Sequence, residues 1–358
     1  VTLKPVKTGL ETDAETIDVR AGEAMDWRRL VDYLRGHLDD MPADVDVRQF
    51  PGGHANLTYL LSAGDLEWVV RRPPLGPLPK NAHDMGREYR VLSRLNQAYD
   101  RAPRANHLCE DPEIIGAPFL VMERRRGVVL RRDWPANFQA LDGLEERISN
   151  ALIDALADLH LVDAEAVGLG DLGRPKGFAA RQVKGWGERW HAAKDKELPV
   201  FDAVHAELTR RVPDSPVVSV LHNDFKLDNC MVEDGVPDRI TAVFDWDMAT
   251  LGDPLIDLGT FLNYWPSEDG GFSWDKMPPF VHGPYPRRAA LIARYAERTG
   301  FDVADMNWYE AFARWKTAVV VQQIYIRYAR GQTTDERFAT YGDYAEPLFE
   351  AARELLAR

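Results

Sequence analysis

Apolar residues recur at Trp27, Leu30, Val31, Leu34 and Leu38, three and four positions apart, and Asp26 stands where a helix cap belongs, so the pattern predicts an amphipathic helix. From Val45 the pattern changes to short β-like runs. Strands are expected over Val45–Phe50, Leu57–Leu61 and Leu66–Arg72, with tight turns at Pro51-Gly52-Gly53 and Ala63-Gly64-Asp65. A helix over Ala82–Leu95 and an apolar strand over Pro118–Glu123 follow. Helical spacing then dominates: Leu144, Ile148, Leu152, Leu156 and Leu159 mark one buried face, and Trp308, Phe312, Trp315, Val319 and Ile326 mark another. The exception is Val217–Leu221 and Met231–Asp245, short strands that carry a polar constellation in their connecting loops. These elements make an α+β chain of two lobes. A small β-rich lobe with one main helix covers 1–124, and a larger, mostly α lobe covers 125–358.

Composition narrows the function classes. A net charge of -13 argues against a general nucleic-acid surface, since phosphate backbones are held by clustered Lys and Arg. The clusters Arg124–Arg126 and Arg131-Arg132 read as solvated faces. Two cysteines, Cys109 and Cys230, make neither a disulfide framework nor a four-cysteine zinc site, and a reducing cytoplasm is the expected setting. The opening residues lack an export pattern. The most apolar run, Ala318–Ile326, is too short for a membrane span and contains Gln322 and Gln323, so no membrane is expected.

The chemistry gathers between His222 and Asp257. Asp224 follows a strand, Asn229 lies five positions on, and a hairpin turning at Glu233–Asp238 leads to Asp245. Phosphoryl transfer needs a group that accepts a hydroxyl proton, together with Mg²⁺ and fixed cations that neutralise charge. Asp224 suits the first task, Lys226 the fixed cation, and an amide oxygen from Asn229 with a carboxylate from Asp245 suits sparsely liganded Mg²⁺ better than Ca²⁺ or Zn²⁺. Asp253 before Pro254 reads as a helix cap, with Asp257 in the first turn, and His222 as a loop-ordering hydrogen bonder. Asp247 is open between metal surroundings, substrate contact and solvent.

In the first lobe, Gly52 and Gly53 between two strands would let backbone N–H groups approach phosphates. Alternation places Val69 and Arg71 on one face, where an adenine ring and the α/β-phosphates would lie, and Glu88 on the next helix is placed to hold Arg71 in a bidentate ion pair. Arg72 is the rival for the phosphate contact. Gly168-Leu-Gly170-Asp-Leu-Gly173 matches the dinucleotide fingerprint in letters only, because a helical pattern precedes it and Arg174-Pro175 follows. The stretch from Trp265 to Tyr285, rich in Pro, Gly and aromatics, reads equally as a substrate-facing segment or a plain surface loop. Its Glu268, Asp269 and Asp275 would suit a cationic acceptor, and its Trp265, Trp274 and Phe280 an apolar one.

The segments Leu221–Asn229, Phe244–Pro254 and Asp257-Leu258 resemble those of the aminoglycoside phosphotransferase family, relatives of protein kinases. Similarity extends through Gln49–Arg72, Arg87–Leu92, Phe119–Glu123, Gly168–Trp186 and Tyr309–Trp315, with the nearest likeness to the kinase-like domain found beside acyl-CoA dehydrogenase domains. The resemblance implies a two-lobed protein-kinase-like fold with ATP between the lobes, adenine being held by backbone at Met122, Glu123 and Arg124. It implies Asp224 as catalytic base and Asn229 and Asp245 as magnesium ligands. A phosphate-binding lysine of the family is Arg71 here, and the glycine loop is short. The expected activity is Mg-ATP-dependent transfer to a hydroxyl of a small molecule. Its rivals are a nucleotide-binding module with little turnover, acting through a partner, and a metal-dependent hydrolase.

Overall fold

The computed structural model describes residues 15–51, 56–74, 84–131, 134–266 and 283–358. The chain separates into two compact units: Val1–Arg126 together with Ala242–Asp247, and Gly127–Thr241 together with Met248–Arg358.

The first unit holds α1 (Trp27–Leu34), β1 (Asp46–Gln49), β2 (Leu57–Ala63), β3 (Leu66–Arg72), α2 (Met85–Leu95), β4 (Ala105–Cys109) and β5 (Phe119–Glu123). The strands form one antiparallel sheet in the order β1-β2-β3-β5-β4. Because side chains alternate across a strand, Tyr59, Leu61, Trp68, Val70, Phe119 and Val121 share one core with Trp27, Leu30, Val31 and Leu34 of α1. Asp26 caps α1 by accepting the Arg29 N–H, as the sequence predicts. The opposite alternation sends Val69 and Met122, which face one another in the register, to the other side of the sheet. There α2 packs along β4 and β5, capped by Asp84 and carrying the buried Glu88. Strand β4 escapes the sequence pattern because it is a short edge strand interrupted by Asn106 and His107, with an irregular register at Ala105/His107.

Of the arginine cluster at 124–126 only Arg126 is solvated as expected; Arg124 and Arg125 turn inward. The Arg124 side chain is buried, paired with Glu15 at 2.8 Å and lying over the Phe50 ring, while Arg125 pairs with Glu123 and Arg126 with Glu67. Its neighbours in this unit are acidic or aromatic, which charge spacing alone does not show.

The second unit runs through β6 (Val128–Val129), α3 (Ala136–Gln139), α4 (Leu144–His160), α5 (Phe178–Ala193), α6 (Pro199–Arg210), β7 (Ser219–Leu221), β8 (Cys230–Glu233) and β9 (Val236–Val243). The last two residues of β9 count with the first unit. Strand β10 (Thr250–Gly252) and helices α7 (Leu255–Tyr264), α8 (Arg288–Thr299), α9 (Met306–Ala329) and α10 (Ala345–Leu356) complete it. Strands β6, β8 and β9 form one small sheet, and β7 and β10 pair antiparallel, so the polar loop after β7 hangs from a ladder anchored at both ends. Helix α9 is the spine, packed against α5, α7 and α10. Glycines 168 to 173 fall in turns between α4 and α5, with neither a strand before them nor a helix directly after, so the fingerprint reading fails on context. Among the described residues no helix is long and apolar enough to cross a membrane.

Gly127 starts the second unit at φ +144, where an added Cβ would press into the Val232 carbonyl oxygen and lie 2.8 Å from Met231 Cγ. Both the backbone conformation and the close approach require glycine. Gly127→Ala is expected to destabilise the protein by about 2 kcal/mol or more. A urea melt whose midpoint is unmoved by this change would contradict the argument.

Candidate active site

The loop that follows β7 is built around one carboxylate. Asp257, in the first turn of α7, is fully buried and accepts the backbone N–H of His222 at 2.6 Å and of Asn223 at 2.8 Å. His160, at the end of α4, approaches the same carboxylate at 3.4 Å and is held in turn by the Tyr295 hydroxyl at 2.6 Å. Burial alone would raise the Asp257 pKa, but the His160 hydrogen bond and charge, with His222, outweigh it and hold the carboxyl below the ordinary value. The expected helix start shifts by one residue: α7 begins at Leu255, whose N–H is taken by Asp253, and Asp253 also receives the Tyr309 hydroxyl at 2.5 Å.

With its backbone so fixed, the loop turns sharply. Asn223 adopts φ +66, a left-handed conformation that Asn tolerates better than most residues. Its side-chain amide donates to the Met248 carbonyl at 2.9 Å. His222 is fully buried, and its Nδ1 accepts the Asp224 N–H at 3.3 Å, the loop-ordering role its position suggests. The result presents Asp224 half-buried, with Lys226 Nζ 2.9 and 3.1 Å from its two carboxylate oxygens. Burial works against the Lys226 ammonium, but the Asp224 charge, Tyr264 and the shared hydrogen bond outweigh it and raise the lysine pKa. Lys226 therefore stays charged. Asn229 donates its amide to the Asp224 carbonyl at 2.9 Å and to the Asp224 carboxylate at 3.0 Å. Both of those partners are acceptors, which assigns nitrogen to that side and leaves the Asn229 amide oxygen without a protein donor among the described residues.

In the first unit, Arg71 projects from β3 towards two acids. Its Nε lies 3.1 Å from Glu88 Oε2, and its Nη2 pairs with Asp245 Oδ1. Arg72 points the other way, donating to the Ile115 carbonyl at 2.7 Å, so the alternation along β3 divides the two arginines as it divides Val69 from Val70. Asp245 itself sits at φ +70. Burial pushes Glu88 up to about 7, with Arg71 opposing and Asp245 and Asp247 reinforcing the rise. Burial also disfavours the Arg71 guanidinium, but Glu88 and Asp245 more than restore it. Met122 and Glu123 end β5, where Glu123 accepts the Arg104 N–H at 2.7 Å. Gly52 and Gly53, and the acids and aromatics expected between 267 and 282, lie outside the described residues. Trp265 is buried, stacked on Phe261 and edged by Tyr285.

Sequence reasoning missed Lys316. It sits in the middle of α9, one residue past the buried Trp315, and its Nζ donates to the Asn223 carbonyl at 3.2 Å. A lysine beside an apolar stripe reads as a solvated neighbour, and only the course of α9 past the loop gives it a role. Sequence also read Asp257 as a helix-end residue acting on the loop indirectly, whereas it holds the loop backbone itself.

Among the described residues no cluster of three or more His, Cys, Asp or Glu forms a self-contained metal centre. Taken unit by unit, the Asn229 amide oxygen in the second and the Asp245 carboxylate in the first are each oxygen donors of the kind a hard cation takes.

An antiparallel sheet unit followed by a mostly helical unit, with an Asp-x-Lys-x-x-Asn loop, defines the kinase-like phosphotransferases. Residues 46–312 match the family model of the Phosphotransferase enzyme family, and the chain belongs to that family. A Ralstonia eutropha protein, provisionally assigned as an aminoglycoside phosphotransferase, superposes with a TM-score of 0.78 at 29% identity, covering 93% of this chain and 99% of its own. Aminoglycoside phosphotransferase APH(4)-Ia, solved as a ternary complex with AMP-PNP and hygromycin B, shares the fold at a TM-score of 0.59 and 16% identity over 92% of this chain and 98% of its own. Acyl-CoA dehydrogenase family member 11 of Mus musculus is 31% identical over 98% of this chain, a match that spans 46% of the mouse protein. The chain thus spans under half the length of that relative.

Two outcomes follow. Asp257→Asn keeps the shape but weakens the acceptor for two buried N–H groups, and should cost about 3 kcal/mol; amide exchange at His222 and Asn223 should accelerate more than in the sheet of the first unit. Equal acceleration everywhere would place the loss elsewhere. Glu88 binds its proton more tightly folded than unfolded, so its contribution to stability should fall as pH rises from about 4.5 to about 7. Glu88→Gln should remove that component, seen as melting curves that diverge from wild type across this window; parallel curves would refute the raised pKa.

Proposed function

We propose that the protein is a Mg-ATP-dependent kinase that moves the γ-phosphoryl group of ATP to a hydroxyl of a small molecule. The observation that carries this reading is Asp224, held half-buried at the apex of a fixed loop with Lys226 across both carboxylate oxygens and Asn229 at its side. Family membership supports the reaction class. Structural neighbours solved with AMP-PNP and hygromycin B, and with GDP and kanamycin, support a nucleoside triphosphate donor and a small hydroxylated acceptor.

In this reading Asp224 accepts the hydroxyl proton as the acceptor oxygen forms its bond to phosphorus and the bond to ADP breaks. Lys226 orients the carboxylate and sets a fixed positive charge beside the reacting groups. Arg71, kept ionised by Glu88 and Asp245, contacts the triphosphate, with Val69, Met122, Glu123 and Arg124 and the glycines at 52 and 53 holding the nucleotide. Asn229 and Asp245 would hold Mg²⁺, which when bound offsets the charge of the phosphates. The division into 1–124 for nucleotide binding and 125–358 for catalysis and acceptor binding follows from these assignments. Only the kinase-like reaction is carried over from the relatives, because the dehydrogenase family names belong to proteins more than twice as long as the match.

Asp224→Asn should leave the Mg-ATP thermal shift nearly unchanged while ATP consumption with a competent acceptor falls about 10²- to 10⁴-fold. Full turnover in that variant would remove Asp224 from the reaction. An equal shift by ATP with and without Mg²⁺ would remove the metal.

A further inference from the structure

Around the loop that carries Asp224, two carboxylates of the second unit are already engaged, and a third, Asp228, lies towards Lys226 and Arg131. Asp224 is spanned by Lys226, and Asp257 by two backbone N–H groups and His160. Two cations remain. Lys316 uses one N–H on the Asn223 carbonyl, and among the described residues its ammonium meets no carboxylate. Its Nζ lies 5.6 Å from the centre of the Trp186 ring, on α5. Arg189, three residues further along α5, stacks its guanidinium 4.2 Å over the same ring and likewise meets no carboxylate among the described residues. Glu188 beside it turns to Lys184 at 3.9 Å. The Trp186 indole N–H is committed to Gln182 at 3.2 Å, which fixes the ring as a platform.

Two like charges against one aromatic ring, near enough for Arg189 to act on Lys316, is an arrangement that folding alone does not favour. Burial lowers the Lys316 pKa, and Arg189 and Lys226 lower it further, against the partial support of Asp224 and Asp257. Such unspent positive charge is relieved by an anion. An oxyanion accepts the free donors of an ammonium and the fork of a guanidinium together, and in so doing removes their mutual repulsion. A cationic acceptor would instead add a third charge of the same sign.

We propose that Lys316, Arg189 and Trp186 form a subsite for an oxyanion, carboxylate or phosphate, on the acceptor whose hydroxyl Asp224 activates. The proposal rests on the kinase reading for its connection to the hydroxyl, and the anion site itself stands on the second unit alone. It specifies a hydroxy acid or a phosphorylated alcohol, in preference to a neutral or an aminated one.

The test compares matched probes: hydroxy acids of graded chain length against their amides, alkanediol monophosphates against the parent diols, and kanamycin as a cationic arm. Binding is read by thermal shift and by Trp fluorescence in the presence of Mg-AMP-PNP, and turnover by ATP consumption. The expected result is a preference of about tenfold or more for the anionic member of at least one pair. The carboxylate and phosphate arms tell which oxyanion is used. In Arg189→Gln, at an exposed position, and in Lys316→Gln, that preference should collapse towards unity, whereas Arg189→Lys should keep part of it. Should Lys316→Gln fail to fold, Arg189→Gln carries the comparison. Anion binding that is lost in Arg189→Gln, without turnover of any probe, supports the subsite while sinking the kinase reading. Turnover or binding that favours neutral alcohols or kanamycin, or an anion preference untouched by Arg189→Gln, overturns the subsite and leaves the kinase reading standing.

Discussion

A buried carboxylate that takes two consecutive backbone N–H groups is the constraint on which the second unit's chemistry rests. A loop leaving β7 with unsatisfied donors would either solvate or refold into a continued strand. Asp257 accepts both donors where no water competes, and its charge is supported by His160 and, through that ring, by Tyr295 on α8. Four segments, α4, α7, α8 and the loop, are thereby fixed to one another through a single side chain. The left-handed turn at Asn223 can persist because its neighbours on both sides are tied: the backbone to Asp257, the side chain to Met248 and the carbonyl to Lys316. Asp224 inherits a defined direction from these contacts and does not have to be ordered by substrate.

The first unit solves a different electrostatic problem. Arg71 and Glu88 are both largely removed from water, so each would be costly alone. Pairing meets the cost only in part, and the pull of Asp245 and Asp247 leaves Glu88 on the edge of protonation near neutral pH. Acids gathered beyond what one arginine balances are poorly placed for stability and well placed for a divalent cation. Asp245, held in left-handed backbone, adds conformational cost to the same place. Left-handed backbone and unbalanced charge thus fall together on one short segment, Ala242–Asp247, and the proposed metal-binding role of Asp245 would account for both.

Most of the fold was legible in the sequence because its elements follow their own periods. Helices α1, α4 and α9 each show an apolar stripe at three- and four-residue spacing, and β2 and β3 alternate around a glycine turn. Strand β4 was not legible, since Asn106 and His107 interrupt its few apolar residues and its register with β5 is irregular. For the candidate site, proximity was legible where residues are close in sequence, as for Asp224, Lys226 and Asn229, which meet by hydrogen bonds. It was poorly legible where partners come from afar. Nothing in the surroundings of Lys316 or Arg189 distinguishes them from solvated cations, because Trp186, the Asn223 carbonyl and Lys316 are brought together only by the packing of α5 and the loop on α9. Likewise Arg71 and Arg72 are equivalent as letters, and only the sheet's second face, covered by α2, separates them.

Net charge is a poor guide to the field at a site, and this chain shows why. At -13 overall it invites the expectation of a cationic acceptor. A field at a partly buried group, however, is set by charges within a few ångströms, because solvent screens the rest over roughly 8 Å at physiological ionic strength. Exposed acids such as Glu146 and Glu188, remote or already paired, contribute little at Asp224. What remains nearby is one carboxylate matched by Lys226, one matched by hydrogen bonds, Asp228 towards Lys226 and Arg131, and the Lys316 and Arg189 cations against one indole. At Lys316, which Arg189 and Lys226 face against Asp224 and Asp257, the local balance is positive although the global one is strongly negative. In the proposed reading an acceptor arriving with an oxyanion would complete that balance, its hydroxyl entering beside Asp224, whose charge Lys226 already offsets.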